Sequence, residues 1–226
     1  GCGKSTVLRS LVRMNDPGPG MLLIDGEDVR RYPLQQLRSQ IALIPQDPFL
    51  FSLTIRNNLT YDEPDRELPP IEHAAQLAEL LDAIDEFPDG METIVGERGI
   101  TLSGGQKQRA TLARGLIRDA RILALDDCFS SVDTRTEERI LGRLKEVRQG
   151  RTTLLVSHRV STARHADRIF VMEDGRILES GTHAELIAKG GYYSDLEAVQ
   201  SNQDQDRARK AALLRNLDID VRVVNG

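Results

Sequence analysis

The first six residues, Gly1-Cys2-Gly3-Lys4-Ser5-Thr6, have the spacing of the second half of the pattern G-x-x-x-x-G-K-[ST]. Small residues there let backbone N–H groups turn inward and cradle phosphate oxygens. A helix starting near Lys4 adds the positive end of its dipole. Lys4 then reaches the outer phosphates, and the Ser5 hydroxyl is placed for Mg²⁺. Such a loop implies a nucleoside triphosphate, although a capped Gly-rich turn would also explain these six residues taken alone. The first glycine of the pattern and the strand feeding it are expected ahead of residue 1. The chain therefore reads as part of a longer protein.

Leu102-Ser103-Gly104-Gly105-Gln106, continued by Lys107-Gln108-Arg109, reads as a second anion site, although a helix cap with glycines for tight packing would also explain S-x-x-Q alone. Ser103 and Gln106 form the sequence signature of a capping box. The two glycines between them expose backbone N–H groups at a positive helix end. One nucleotide seldom needs two such elements from one chain. The simple resolution is a dimer in which each element meets a different nucleotide.

These sites need a scaffold. The 226 residues amount to one large domain or a domain with a subdomain, and 39% hydrophobic content suffices for a core. A net charge of −5, with 30 scattered Lys and Arg, argues against a nucleic-acid surface. The two cysteines, Cys2 and Cys128, fit no metal spacing and suit buried thiols in a reducing compartment. No apolar run approaches the ~20 residues that cross a bilayer.

Continuous apolar runs at Ile41 to Ile44, Ile122 to Leu125 and Thr153 to Val156 predict strands buried on both faces of a parallel sheet. Helical patterns lie between them, at Thr6 to Met14 and at Thr134 to Val147, the latter opening on a Thr134/Glu137 capping box. Asp25-Gly26 and Asp174-Gly175 predict hairpin turns. Pro64, Pro69 and Pro70 precede one amphipathic run from Ile71 to Phe87, so the stretch from about Asp47 to Arg118 reads as a mostly helical insert. The expected fold class is α/β, with helices on both faces of a mostly parallel sheet.

In this setting the chain resembles the nucleotide-binding domain of an ABC transporter. Gly1 to Thr6 match part of that family's Walker A, and Leu102 to Gln106 match its signature. Ile122 to Asp127 match Walker B, and Gln46 in Ile-Pro-Gln-Asp matches the Q-loop. Ser130-Ser131-Val132-Asp133 match the D-loop, and His158 in Val-Ser-His-Arg matches the switch histidine. Order and spacing agree from residue 1 to about 200. The resemblance implies a P-loop, RecA-like fold, with the α/β core in 1–46 and 119–200 and a helical signature subdomain in 47–118. A charged tail, 201–226, is left over and expected to be disordered. It implies ATP and Mg²⁺ as ligands. Gly1, Cys2, Gly3, Lys4, Ser5 and Thr6 would hold the phosphates, with Ser103, Gly104, Gly105, Gln106 and Asp133 acting across a dimer. Ser5, Gln46 and Asp126 would hold the metal, and Asp127, Gln46 and His158 would act on water and the γ-phosphate.

Phe49-Leu50-Phe51-Ser52, Thr54 to Leu59 and Gly96-Glu97-Arg98-Gly99 resemble exporters within that family. The resemblance implies a transmembrane domain fused upstream, a second nucleotide-binding domain as partner, no nucleic acid, and a place at the cytoplasmic face of a membrane. Phe49 and Phe51 fit either a membrane-domain interface or the core of the insert.

One position departs from the pattern. The family carries Glu where this chain has Asp127. Asp is shorter by one C–C bond, about 1.5 Å. A misplacement of ~1 Å can cost on the order of 100-fold in rate, and general-base help is worth about 10² to 10⁴. The expectation is a slow site paired with a competent one on a different subunit. A small backbone shift at Asp127 would instead restore normal function. Two rivals are a soluble ABC-type ATPase and a regulatory ATP-binding module. The soluble class needs a long coiled-coil insert, which has no room between Gln46 and Ser103, or two such domains in one chain.

Overall fold

The computed structural model describes residues 3–96 and 99–202. The chain forms two compact units, one ending at His158 and the other beginning at Arg159.

In the first unit, α1 (Lys4–Leu11) leads to a short hairpin of β1 (Leu23–Ile24) and β2 (Glu27–Asp28), then α2 (Leu34–Ser39) and β3 (Ile41–Ile44). Next come α3 (Ile55–Leu59), α4 (Leu68–Leu77), α5 (Leu81–Asp85) and α6 (Gly104–Leu116). The unit closes with β4 (Ile122–Asp126), α7 (Thr134–Val147) and β5 (Thr152–Val156). Strands β3, β4 and β5 form a parallel sheet in that order, with Ile44 opposite Leu125 and Asp126 opposite Val156.

Alternation along the strands divides the core in two. Ala42, Ile44, Leu123 and Leu125 join Leu112 and Ala113 of α6, Ile140 and Leu144 of α7, and buried residues of α3 to α5. Ile41 and Ala124 join Leu8 and Leu11 of α1 and Leu37 of α2. Helices thus cover both faces, as continuous apolar strands require. At eight residues, α1 is too short to stand alone in water. Burial of Leu8 and Leu11, worth about 1.5–3 kcal/mol each, holds it on the sheet.

β5 differs from expectation. Thr152 and Thr153 are exposed and Leu154 to Val156 only partly buried, because β5 lies at the edge of the described sheet. The run Ile71 to Phe87 is also not one helix. It breaks at Glu79, which takes φ 53° while its N–H and that of Leu80 bond back to Gln76 and Ala75. That is a left-handed helix stop made without glycine. Likewise α1 ends at Leu11, short of Met14, with Arg13 at φ 50°.

The second unit holds α8 (Val160–Ala163), the hairpin β6 (Ile169–Glu173) and β7 (Arg176–Gly181), α9 (His183–Lys189) and a helical run over 192–202. Its own small core contains Val160, Ile169, Leu186 and Tyr193. Both expected hairpin turns are present. Asp25 and Gly26 have φ of 50° and 82°, and Asp174 and Gly175 of 46° and 75°. Two successive positive φ values define the type I′ turn that suits twisted strands. Among the described residues no helix is long and apolar enough to cross a membrane.

Candidate nucleotide site

The site is built at the carboxyl ends of the parallel strands, where open α/β sheets bind ligands. Gly3 caps α1 in a left-handed conformation, φ 92°, and an added Cβ would meet nothing within 4 Å. No side chain caps α1, and the positive end of its dipole favours an anion there. Ser5, in that turn, donates its hydroxyl to Asp126 Oδ1 at 2.8 Å. Asp126 is the last residue of β4 and only 4% exposed. A hydroxyl and a buried carboxylate side by side form a hard oxygen set, which fits Mg²⁺.

Asp127 follows directly, at φ 47°. Its N–H donates to Val156 O of β5 at 3.0 Å, and buried Asp126 and Cys128 flank it. Burial raises the Cys128 thiol well above its ordinary range. Gln46 lies two residues past β3 and His158 two past β5; both are exposed. Asp126, Asp127, Gln46 and His158 therefore share one sheet edge, and Ser5 reaches it from α1. Gly1, Cys2, Glu97 and Arg98 lie outside the described residues, as does 203–226.

The glycine turn sits elsewhere. Ser103 caps α6, and the expected capping box is present: Ser103 accepts from Gln106 N–H at 3.2 Å, and Gln106 Oε1 accepts from Ser103 N–H at 2.9 Å. The Gln106 carbonyl is thereby committed to the cap, leaving the N–H groups of Gly104 and Gly105 for an anion. The turn is anchored to residues 130 and 131. An added Cβ on Gly105 would lie 2.8 Å from Ser131 O.

Asp133 is not in the strand-end group. It caps α7 by accepting from Thr136 N–H at 3.0 Å, and this bond holds its carboxyl below the usual carboxylate range. The expected Thr134/Glu137 box is thus corrected. Thr134 is already helical, and the cap stands one residue earlier because an Asp at 133 is an equally good acceptor with N3 at Thr136.

Sequence reasoning gave no role to Gln108, Asn58 or Arg114. Gln108 is 3% exposed; its Nε2 donates to Ser130 Oγ and its Oε1 accepts from Ser131 N–H, both at 2.7 Å. A polar residue on the buried face of α6 was the available signal, since a buried amide needs partners. Asn58, 1% exposed, exchanges bonds with Phe51 N and O. Arg114 donates to Asn58 O and Phe49 O and lies 5.8 Å from the Phe51 ring centre. Phe51 stacks on Tyr61 at 4.5 Å and meets Phe49 edge-on at 4.9 Å. Phe49 is 61% and Tyr61 57% exposed, so this aromatic group forms surface and not the insert's core.

The ABC transporter family model matches residues 1–130. The chain belongs to the ABC transporter family. It is 48% identical over 200 residues to an uncharacterized ABC transporter ATP-binding protein of Bacillus subtilis, covering 88% of this chain and 34% of that protein. It is 45% identical over 201 residues to an ATP-dependent lipid A-core flippase of Vibrio parahaemolyticus, covering 88% and 34%. A bacterial Atm1-family ABC exporter with ATP bound matches with a TM-score of 0.82 and 40% identity, over 88% of this chain and 35% of that one. The chain spans about a third of the length of these relatives. It is a P-loop ATP-binding and ATPase domain of exporter type, and the soluble ABC-type alternative gives way to that assignment.

Proposed function

We propose that this chain powers an exporter by binding ATP between its own phosphate loop and the glycine turn of a second nucleotide-binding domain. The observation that carries this reading is the 2.8 Å bond from Ser5 to Asp126, which joins the helix-start anion site to the strand-end carboxylate. Backbone N–H groups of Gly3 to Thr6 and the Lys4 ammonium would hold the phosphates, together with Gly1 and Cys2. Ser5, Asp126 and Gln46 would hold Mg²⁺, which when bound neutralises phosphate charge. Asp127 would take a proton from water as its oxygen bonds to the γ-phosphorus and the bond to the β-phosphate oxygen breaks. His158 would donate a hydrogen bond to a γ-phosphate oxygen. Ser103, Gly104, Gly105, Gln106 and Asp133 would serve the partner's nucleotide.

Several features support the wider reading. The relatives are about three times as long and are named exporter and flippase, in keeping with a transmembrane domain fused upstream and a place for this domain at the cytoplasmic face of the membrane. The exposed Phe49 and Tyr61, packed on half-buried Phe51 and braced by Arg114, suit contact with that domain. The parts would be a core of 1–46 and 119–200, a helical subdomain of 47–118, and a tail of 201–226. A net charge of −5 speaks against nucleic acid.

The own site would be slow. Asp127 is fixed on both sides by buried neighbours and by its N–H bond to Val156 O, so the backbone shift needed to extend its reach is costly. The partner is then a different subunit whose own site carries the longer base. Asp127→Glu in the full transporter is expected to raise single-turnover hydrolysis at this site by about 10- to 100-fold. A wild-type site already matching its partner's rate would remove the slow-site reading.

A further inference from the structure

We infer that Gln108 is a positioning residue that couples the two nucleotide sites of the assembly. Its side chain is the tie between the turn that faces the partner and the loop that follows this chain's own Asp127. The inference rests on the head-to-tail reading above.

Three observations converge on it. Gln108 is buried, and both ends of its amide are satisfied at 2.7 Å, one by Ser130 Oγ and one by Ser131 N–H. Gly105 sits so close to Ser131 O that no side chain fits between them. Gln106, the other amide of the turn, is committed to the local cap and makes no bond to this loop. The start of α6 is therefore seated on residues 130 and 131 through Gln108 and close backbone approach. Four residues before Ser131 stands Asp127, hydrogen-bonded to β5, and Asp126 with its bond from Ser5. A nucleotide that shifts Ser5 and Asp126 thus bears on the loop 127–131, and the loop bears on the turn 103–106. That turn contacts the partner's nucleotide. A hydrogen-bonded amide with two discrete partners transmits such a shift; an apolar side chain of equal size fills the space without fixing the direction.

The test uses the full-length transporter with its partner subunit and measures turnover at the partner's site by single-turnover hydrolysis. Lys4→Ala disables nucleotide binding at this chain's site. With Gln108 present, it is expected to change partner-site turnover at least about fivefold, the lower end of ordinary site-to-site coupling. In a Gln108→Met background, the same Lys4→Ala change is expected to alter it less than about twofold, a non-additivity that measures the tie. Ser130→Ala, at an exposed position, removes one of the two bonds and should give an intermediate loss of coupling. An equal factor in both backgrounds overturns the role of Gln108 and leaves the head-to-tail reading intact. No effect of Lys4→Ala even with Gln108 present overturns the coupling itself, whereas the head-to-tail reading falls only if the parent with ATP is strictly solitary.

Discussion

Ser5 and Asp126 are 121 positions apart in sequence and meet at 2.8 Å. Each is ordinary by itself: a hydroxyl in a first helical turn, a carboxylate ending a strand. Together they can offer a divalent cation two hard oxygens, one from a hydroxyl and one from a carboxyl group. Ser5→Ala in the full transporter is expected to weaken ATP binding at this site about tenfold when Mg²⁺ is present, since hydrogen bonds and contacts to charged groups are worth about 1.5–3 kcal/mol. With the metal chelated, wild type and variant should bind alike. Titration with a fluorescent ATP analogue, with and without EDTA, distinguishes these outcomes. An equal loss in both conditions would assign the hydroxyl to the phosphates and not to the metal. The types and order of these residues were legible in sequence. The mutual seating of Ser5 and Asp126 was not, because it depends on the cluster in which Leu8 and Leu11 of α1 pack with Ala124 of β4.

At the scale of elements, much of the sheet is clamped by one side chain. Arg148, after α7, donates to Ala120 O at 2.5 Å and to Arg121 O and Thr152 O at 3.1 Å. It ties the approach to β4 to the first residue of β5 and is 9% exposed; burial pushes its guanidinium pKa down. Arg148→Met leaves three carbonyls without this donor and should cost about 3 kcal/mol. For a domain of this size that lowers Tm by roughly 6–12 °C, measurable by calorimetry. Arg148→Lys should recover less than half, because one ammonium cannot reproduce the planar fork. No motif marks Arg148, since its role arises from distant backbone. Local signals were read well where they compel the backbone, as at Asp25-Gly26, Asp174-Gly175 and the Ser103 cap. They failed where two residues could serve. Asp133 and Thr134 both satisfy the cap rule for α7, and the chain uses Asp133. They failed again at Glu79, where no Gly or Pro announces the break between α4 and α5.

At the scale of the molecule, the phosphate loop and the glycine turn of one chain are anchored separately, the first on Asp126 and the second on Ser131. A complete pocket on this plan needs the phosphate loop of one chain and the glycine turn of another, so a pair holds two pockets. The full-length parent should therefore sediment as a pair in detergent and bind two ATP per pair at saturation, readable by analytical ultracentrifugation and equilibrium dialysis. Strictly solitary parent molecules with ATP present would exclude the shared pocket. The apolar runs at Ile41 and Ile122 made the doubly covered sheet legible. The exposure of β5 was not, because it depends on strand order and not on composition.

Experiments that follow closure of such a pair by distance labels require reporter thiols, and Cys128 bears on their design. Its sulfur lies inside the core, 2% exposed, and burial favours the neutral form that alkylating reagents leave alone. The native residue can stay in place while probes are attached at the surface, so the loop between Asp127 and Asp133 can be studied without the cavity that a smaller replacement would open beneath it.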